Sequence, residues 1–184
     1  MNNVIDTIMA RKSIRAYQPE QLSPEQLDNL VKVALTSPTA VNAQGWHFTV
    51  IQNKNIINEI EADIVAAIMA GDNEAAKERT KARGNKVVYD APTLIIISGK
   101  PSAYSHIDAG IAVQSLAIAA KSMGLDSVIL GMVGLAFKGE NGERWANKLN
   151  FPQEHEFIIS IAIGKGAMEG NHRELDPTKV TYLK

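Results

Sequence analysis

Three observations predict a single domain that mixes helices and strands. The chain has 184 residues, 45% hydrophobic and 21% charged, which suits one globular domain with a real core. Four runs rich in β-branched and aromatic residues, at 46–52, 93–98, 126–130 and 157–163, read as strands. Around them, apolar residues recur at helical spacing.

In chain order, Val4, Ile5, Ile8 and Met9 predict a short helix over 3–11, and "SIRAYQPEQL" after it reads as extended. Ser23-Pro24-Glu25-Gln26 opens the next helix. Ser23 is its N-cap, Pro24 lies in the first turn, and Gln26 takes the capping-box position. Its stripe is Leu27, Leu30, Val31, Ala34 and Leu35, and it stops before Pro38. "WHFTVIQ" at 46–52 is a strand. Ile56, Ile60, Ile64 and Ile68 recur every four residues and define a helix closed by Gly71. Residues 73–86 are polar and read as a solvated helix. "TLIIIS" at 93–98 is a buried strand. A helix over 104–123 ends at Gly124, strand 126–130 runs into the glycine-rich "GMVGLAFKGENG", and "RWANKLN" is helical. "FIISIAI" at 157–163 is the last strand, and the tail is polar until Val180 and Leu183.

Helix 104–123 is apolar almost all round, with Ile107, Ile111, Val113, Leu116, Ile118 and Met123 among many alanines. Such a helix needs cover on every side. The centre of a monomer's core and a dimer interface both supply it. Its small residues, such as Gly110, Ala112 and Ala117, permit close helix approach.

Composition excludes several functions. Lys+Arg is 19 and Asp+Glu is 20, a net charge of -1, so no nucleic-acid partner is expected. The absence of cysteine removes disulfides, thiolate catalysis and Cys-based metal sites, and fits a cytoplasmic location. "MNNVIDTIMARK" lacks a basic region ahead of an apolar core, so no signal peptide is expected. Asp108, Gln114 and Lys121 interrupt the most apolar helix, so no membrane span is expected. His47, His106, His155 and His172 are scattered and predict no metal site. "GKGAMEG" at 164–170 has the wrong spacing for a dinucleotide turn, and no phosphate-binding P-loop or G-x-S-x-G is present.

Four stretches remain as candidate sites. "RKSIRAY" at 11–17 gathers Arg11, Lys12, Ser13 and Arg15. Cations at a helix C-terminus complement the macrodipole, which accounts for Arg11 and Lys12. Extended backbone would put Ser13 and Arg15 on one side, a set that suits a phosphate monoester. "SPTAVNAQGWHF" at 37–48 is an ordinary polar loop or, through its amides, an edge for a heterocycle. "DSVILGMVG" at 126–134 is a strand ending in a turn, or a backbone that a flat ring can approach closely. Arg173 stands alone in a polar tail.

Taken together and in this order, these stretches resemble the nitroreductase-like FMN-dependent flavoprotein family across essentially the whole chain. The carrying motifs are Arg11-Lys12-Ser13-Ile14-Arg15-Ala16-Tyr17 and the run from Pro38 through Asn42, Gln44 and Trp46 to Phe48. "YDAP" and "GLDS" support them. Gly45 departs from the family's usual proline. The resemblance implies an α+β fold, a central, mostly antiparallel sheet flanked by helices, in an intertwined homodimer. It implies one domain over 1–184, with an extension at 165–184 that reaches the partner subunit. It implies FMN, with Arg11, Lys12, Ser13, Arg15 and Arg173 at the phosphate and ribityl chain. Pro38, Thr39, Ala40 and Asn42 would come from the partner, and Ile129, Leu130 and Gly131 would lie against the ring. Asn85 or Lys86 would serve at the pyrimidine edge. The implied activity is ping-pong oxidation of NADH or NADPH with nitroaromatic, quinone or enone acceptors. The flavin does the chemistry, so no catalytic side chain is assigned. The alternatives are other chemistry on the same fold and a non-enzymatic FMN-binding redox protein. Lys77, Arg79, Lys81 and Arg83 face either solvent or a donor's 2′-phosphate.

Overall fold

A computed structural model of the chain describes residues 3–171 and 173–184; His172 lies outside the described residues. Four strands form one sheet: β1 (Trp46–Ile51), β2 (Thr93–Gly99), β3 (Asp126–Leu130) and β4 (Glu156–Gly164). The order is β1-β2-β4-β3, and every pairing is antiparallel. Six α-helices flank it among the described residues: α1 (Asn3–Ala10), α2 (Pro24–Leu35), α3 (Lys54–Ala70), α4 (Glu74–Ala82), α5 (Ser105–Ser122) and α6 (Glu140–Lys148). The expected α+β architecture is therefore present.

Both sheet faces are covered, which explains the unbroken apolar run of β2. Leu94 and Ile96 face a core shared with α3, α6 and the turn Met132–Phe137, while Ile95 and Ile97 face α2 and α5. Strand alternation divides β4 in the same way, Ala162 to the first core and Ile161 and Ile163 to the second. Helix α2 begins with the predicted capping box, Gln26 N–H donating to Ser23 Oγ and Ser23 N–H to Gln26 Oε1. Gly124 ends α5 in the left-handed region (φ +73), where glycine is favoured. Gly71 closes α3 in extended geometry instead. Helix α6 starts four residues ahead of "RWANKLN". Its Trp145 is fully buried and donates to Asp63 at 2.7 Å, and Arg144 pairs with the same carboxylate.

One charge lies within the apolar stripe of α3. Glu61 is buried, and its Oε1 accepts from Val87 N–H at 2.6 Å and Val88 N–H at 2.7 Å. It thereby pins the segment that enters β2. Glu61→Ala strands two buried donors and should cost about 3 kcal/mol in a urea denaturation series. Glu61→Gln should cost less, because its amide oxygen still accepts.

At the opposite end of the sheet, His155 Nδ1 lies 3.4 Å from the buried Ser98 Oγ, with the His47 ring edge-on at 6.3 Å. Burial, then the charges of His47 and Lys100, hold the His155 imidazole below its ordinary pKa. A base lowered by folding contributes stability that is present above its unfolded pKa, about 6.5, and is lost as pH falls. His155→Gln should therefore lose less stability than the wild type between about pH 7 and 5, measured by thermal denaturation.

Candidate flavin and substrate site

Residues 13–18 are wedged between the edge strand β3 and the start of the tail. Ile14 N–H donates to Ser127 O at 3.0 Å, and Ser13 bridges Ser127 in parallel. On the other side Gln18 N–H donates to Lys165 O, Ala167 N–H to Ala16 O, and Arg15 N–H to Met168 Sδ. Ile14 and Tyr17 anchor the segment in the core. The Tyr17 hydroxyl donates to Ile14 O at 2.8 Å. Burial first, then the nearby Asp126 carboxylate, pushes its pKa well above the usual phenol range, so it stays protonated.

With Ile14 inside, Ser13 and Arg15 share the outer side, and Arg15 Nη1 reaches Ser13 O at 3.4 Å. Lys12 faces elsewhere. It lines a cavity with Lys121, Asp126 and Gly170, and a Cβ on Gly170 would come within 2.6 Å of the Lys12 Cβ. Among the described residues, none of Arg11, Lys12 and Arg15 has an acidic partner. Asp126, the nearest acid in sequence to Ser127, is held by Lys121 at 2.9 Å.

The edge strand leads from Ser127 to the second predicted group. Leu130 is buried and its carbonyl accepts from Ser160 Oγ at 2.8 Å. Ile129 is half-buried and Gly131 exposed. A Cβ on Gly131 would meet only Ile159, at 3.8 Å, so the backbone there is open. At roughly 3.3 Å per residue, Gly131 lies about 13 Å along the strand from the Ser13 contact.

The loop before β1 is hydrogen-bonded but largely exposed. Ala40 N–H donates to the buried Asp108 carboxylate at 3.0 Å, and Gln44 N–H to Thr39 Oγ1 at 3.0 Å. Val41, Asn42 and Gln44 are all left-handed, at φ 48, 55 and 47. For β-branched Val41, 97% exposed, this is a strained conformation of the kind that clusters at ligand and interface sites. Pro38 and Asn42 are exposed, and Thr39 and Ala40 half-buried.

Within one chain this loop and the cationic segment stay apart. Asp108, which holds Ala40, lies near the start of α5, and Ser127, which holds Ser13, lies beyond its end. The helix between Asp108 and Ser122 alone spans about 20 Å at 1.5 Å per residue. Arg173 is exposed in the tail.

A cavity beside Arg15 is lined also by Tyr17, Arg83, Lys86, Tyr89 and Met168. Arg83 Nη1 donates to the Tyr89 hydroxyl at 3.1 Å. Lys86 binds Asp90 at 2.6 Å and lies 3.6 Å from Glu61, and the hydrogen bond to Asp90 raises its pKa. Of the two candidates before β2, Lys86 lines this cavity; Asn85 is exposed at φ 61. Glu61 and Tyr89 were not singled out from sequence. The signal for Glu61 was present: a carboxylate one turn from Ile57 and Ile64 on an apolar helix face. Nothing local marks Tyr89 beyond its place in "YDAP". Among the described residues no cluster of His, Asp and Glu could hold a metal ion, and no helix is long and apolar enough to cross a membrane.

Comparison with known proteins agrees with this fold. A nitroreductase with bound FMN from Desulfitobacterium hafniense superposes with a TM-score of 0.96 at 30% identity, covering 100% of both chains. A second nitroreductase with bound FMN, from Bacteroides fragilis, gives 0.90 at 25% identity, again over 100% of both. An FMN reductase (NADPH) of Bacillus subtilis is 26% identical over 99% of this chain and 73% of its own. The model of the Nitroreductase family matches residues 8–165. With its sheet order, cationic segment and strained loop, the chain belongs to the Nitroreductase family.

Proposed function

We propose that the protein is an FMN-dependent NAD(P)H oxidoreductase that passes electrons to nitroaromatic, quinone or enone acceptors, and that it works as a cytoplasmic homodimer. The observation that carries this reading is the run of acid-free cations and a hydroxyl, Arg11 to Arg15, laid along an edge strand that ends in the open backbone at Gly131. The residues fit FMN. Arg11, Ser13 and Arg15 offer charge-assisted donors for a phosphate and its ribityl chain. Lys12 and Arg173 are the further cations of this set. Of Ile129, Leu130 and Gly131, the expected residues against a flat ring, Ile129 offers apolar surface and Gly131 free backbone, while the buried Leu130 supports them from the core. When bound, FMN supplies the hydride chemistry. The chain's own part is to hold it, to keep positive charge from Arg15 where negative charge develops, and to admit donor and acceptor in turn to one pocket, the ping-pong order.

The homodimer follows from what one chain leaves open. Helix α1 has no buried residue, with Val4, Ile5, Ile8 and Met9 all exposed. On α5, Ile107 and Ile111 are exposed while the opposite face is buried. Among the described residues β1 has no strand on its outer edge, and the tail exposes Val180, Tyr182 and Leu183. A second copy covers this apolar surface. It also brings Pro38, Thr39, Ala40 and Asn42 to the cationic segment that its own chain keeps distant, and of the extension 165–184, whose first residues pair with their own chain, the later part reaches across to it.

Purified protein should be yellow, release FMN on denaturation, and elute at twice the chain mass. A colourless protein that FMN cannot reconstitute would sink the cofactor reading. With FMN bound, it should oxidise NADH or NADPH in the presence of a nitroaromatic or a quinone. FMN retained without turnover on either nucleotide would leave the non-enzymatic redox reading. Arg15→Ala should weaken FMN binding on the order of tenfold or more, the loss expected for a charged hydrogen bond. Lys32→Ala, on the exposed side of α2, should leave it within about twofold. Equal affinities in a fluorescence titration would count against the phosphate site.

A further inference from the structure

We infer that the cavity beside Arg15 contains a subsite for a carboxylate or phosphate group of the redox substrate, formed by the Arg83 guanidinium and the Tyr89 hydroxyl. This rests on the reading above that the pocket admits a nucleotide donor and an organic acceptor.

The charges in the cavity decide it. Lys86 is neutralised by Asp90 at 2.6 Å, with Glu61 at 3.6 Å. Asp90 is thereby engaged, and Glu61 also holds two backbone N–H groups. Among the described residues, Arg15 and Arg83 have no acidic partner. Arg15 belongs to the cofactor's side of the site. Arg83 is a surplus cation, bound only to a neutral phenol. That phenol accepts from Arg83, so its own hydrogen remains to donate. A guanidinium and a hydroxyl side by side match the oxygens of one oxyanion.

The pair is also pre-organised. Tyr89 is 7% exposed, and its backbone is left-handed at φ 61. For a bulky side chain this is an outlier. Asn85 and Asp90, at φ 61 and 58, are bent the same way. The buried Glu61 holds Val87 and Val88 between them. A turn needs no such strain to display a solvated arginine. The Arg83 carbon lies 6.0 Å from the centre of the Tyr89 ring, so the ring also limits where the guanidinium can go.

The oxyanion has two possible carriers, a carboxylate on the acceptor or the 2′-phosphate of NADPH. The test uses FMN-loaded protein, wild type, Arg83→Gln and Arg83→Lys. Calorimetric titration with benzoate and benzamide reads binding without turnover. Turnover with 4-nitrobenzoate and 4-nitrobenzamide, and with NADH and NADPH, reads the carrier. Arg83→Gln should weaken benzoate about tenfold and raise the KM for 4-nitrobenzoate similarly. The two amides should change by less than about twofold, and Arg83→Lys should restore part of the loss. A rise confined to the KM for NADPH, with NADH unchanged, supports the same subsite with the donor as carrier. Equal effects on charged and neutral partners, together with an unchanged NADPH to NADH ratio, overturn it. Wild-type protein that binds FMN but oxidises neither nucleotide defeats the oxidoreductase reading instead, and the benzoate titration still reports on Arg83.

Discussion

Residues 13–18 have two neighbours, β3 on one side and the first residues of the tail on the other, and the site depends on that double pairing. Ile14 bonds Ser127; Ala16 and Gln18 bond 165–167. The pairing sets which side chains point inward. Ile14 enters the core, so by alternation Ser13 and Arg15 fall on the opposite side. Tyr17 shares that side and lines the cavity beside Arg15 while its ring is buried. The same contact aligns the cationic segment with a strand whose far end is the open Gly131. A slip of one residue would bury Arg15 and expose Ile14. The tail beyond Gly170 also takes its starting point from this pairing.

Electrostatics then follows from where the acids are engaged. The chain as a whole carries a net charge of -1, yet its candidate site is positive. Three of the nearby carboxylates already have partners, Asp126 with Lys121, Asp90 with Lys86, and Glu61 with two backbone donors, while Glu169 lines the Lys12 cavity. Positive charge at the site thus arises from pairing and not from composition. The hydrogen bonds that satisfy the buried Glu61 carboxylate also hold Val87 and Val88, beside the proposed subsite at Tyr89.

The proposed dimer has the same physical origin as the fold. Helix α5 is half-covered by its own sheet and α2, and its other side keeps Ile107 and Ile111 in water. Apolar surface of this kind is stabilised by burial at about 25 cal/mol per Å². A second chain that supplies the burial also supplies the loop Pro38–Asn42, which the length of α5 keeps from the cationic segment of its own chain. Assembly and completion of the site are, in this reading, one event.

Much of this was legible in the sequence because it is local. The capping box at Ser23, the fourfold isoleucine spacing of α3 and the four β-branched runs depend on near neighbours, and each element is found within a few residues of its expected place. The motif residues Arg11 to Arg15 and Pro38 to Asn42 were legible for the same reason. What chain neighbours do not encode is which distant groups meet. Lys12 turns away from Arg15 because the strand alternates. Glu61 reaches Val87 across 26 positions, next to the left-handed Tyr89 that lines the cavity. The amino-acid sequence by itself determined the elements and the chemical types at the site. Tertiary structure decided which cations stay free and which loop lies out of reach, because both depend on the pairing and spacing of residues far apart in the chain.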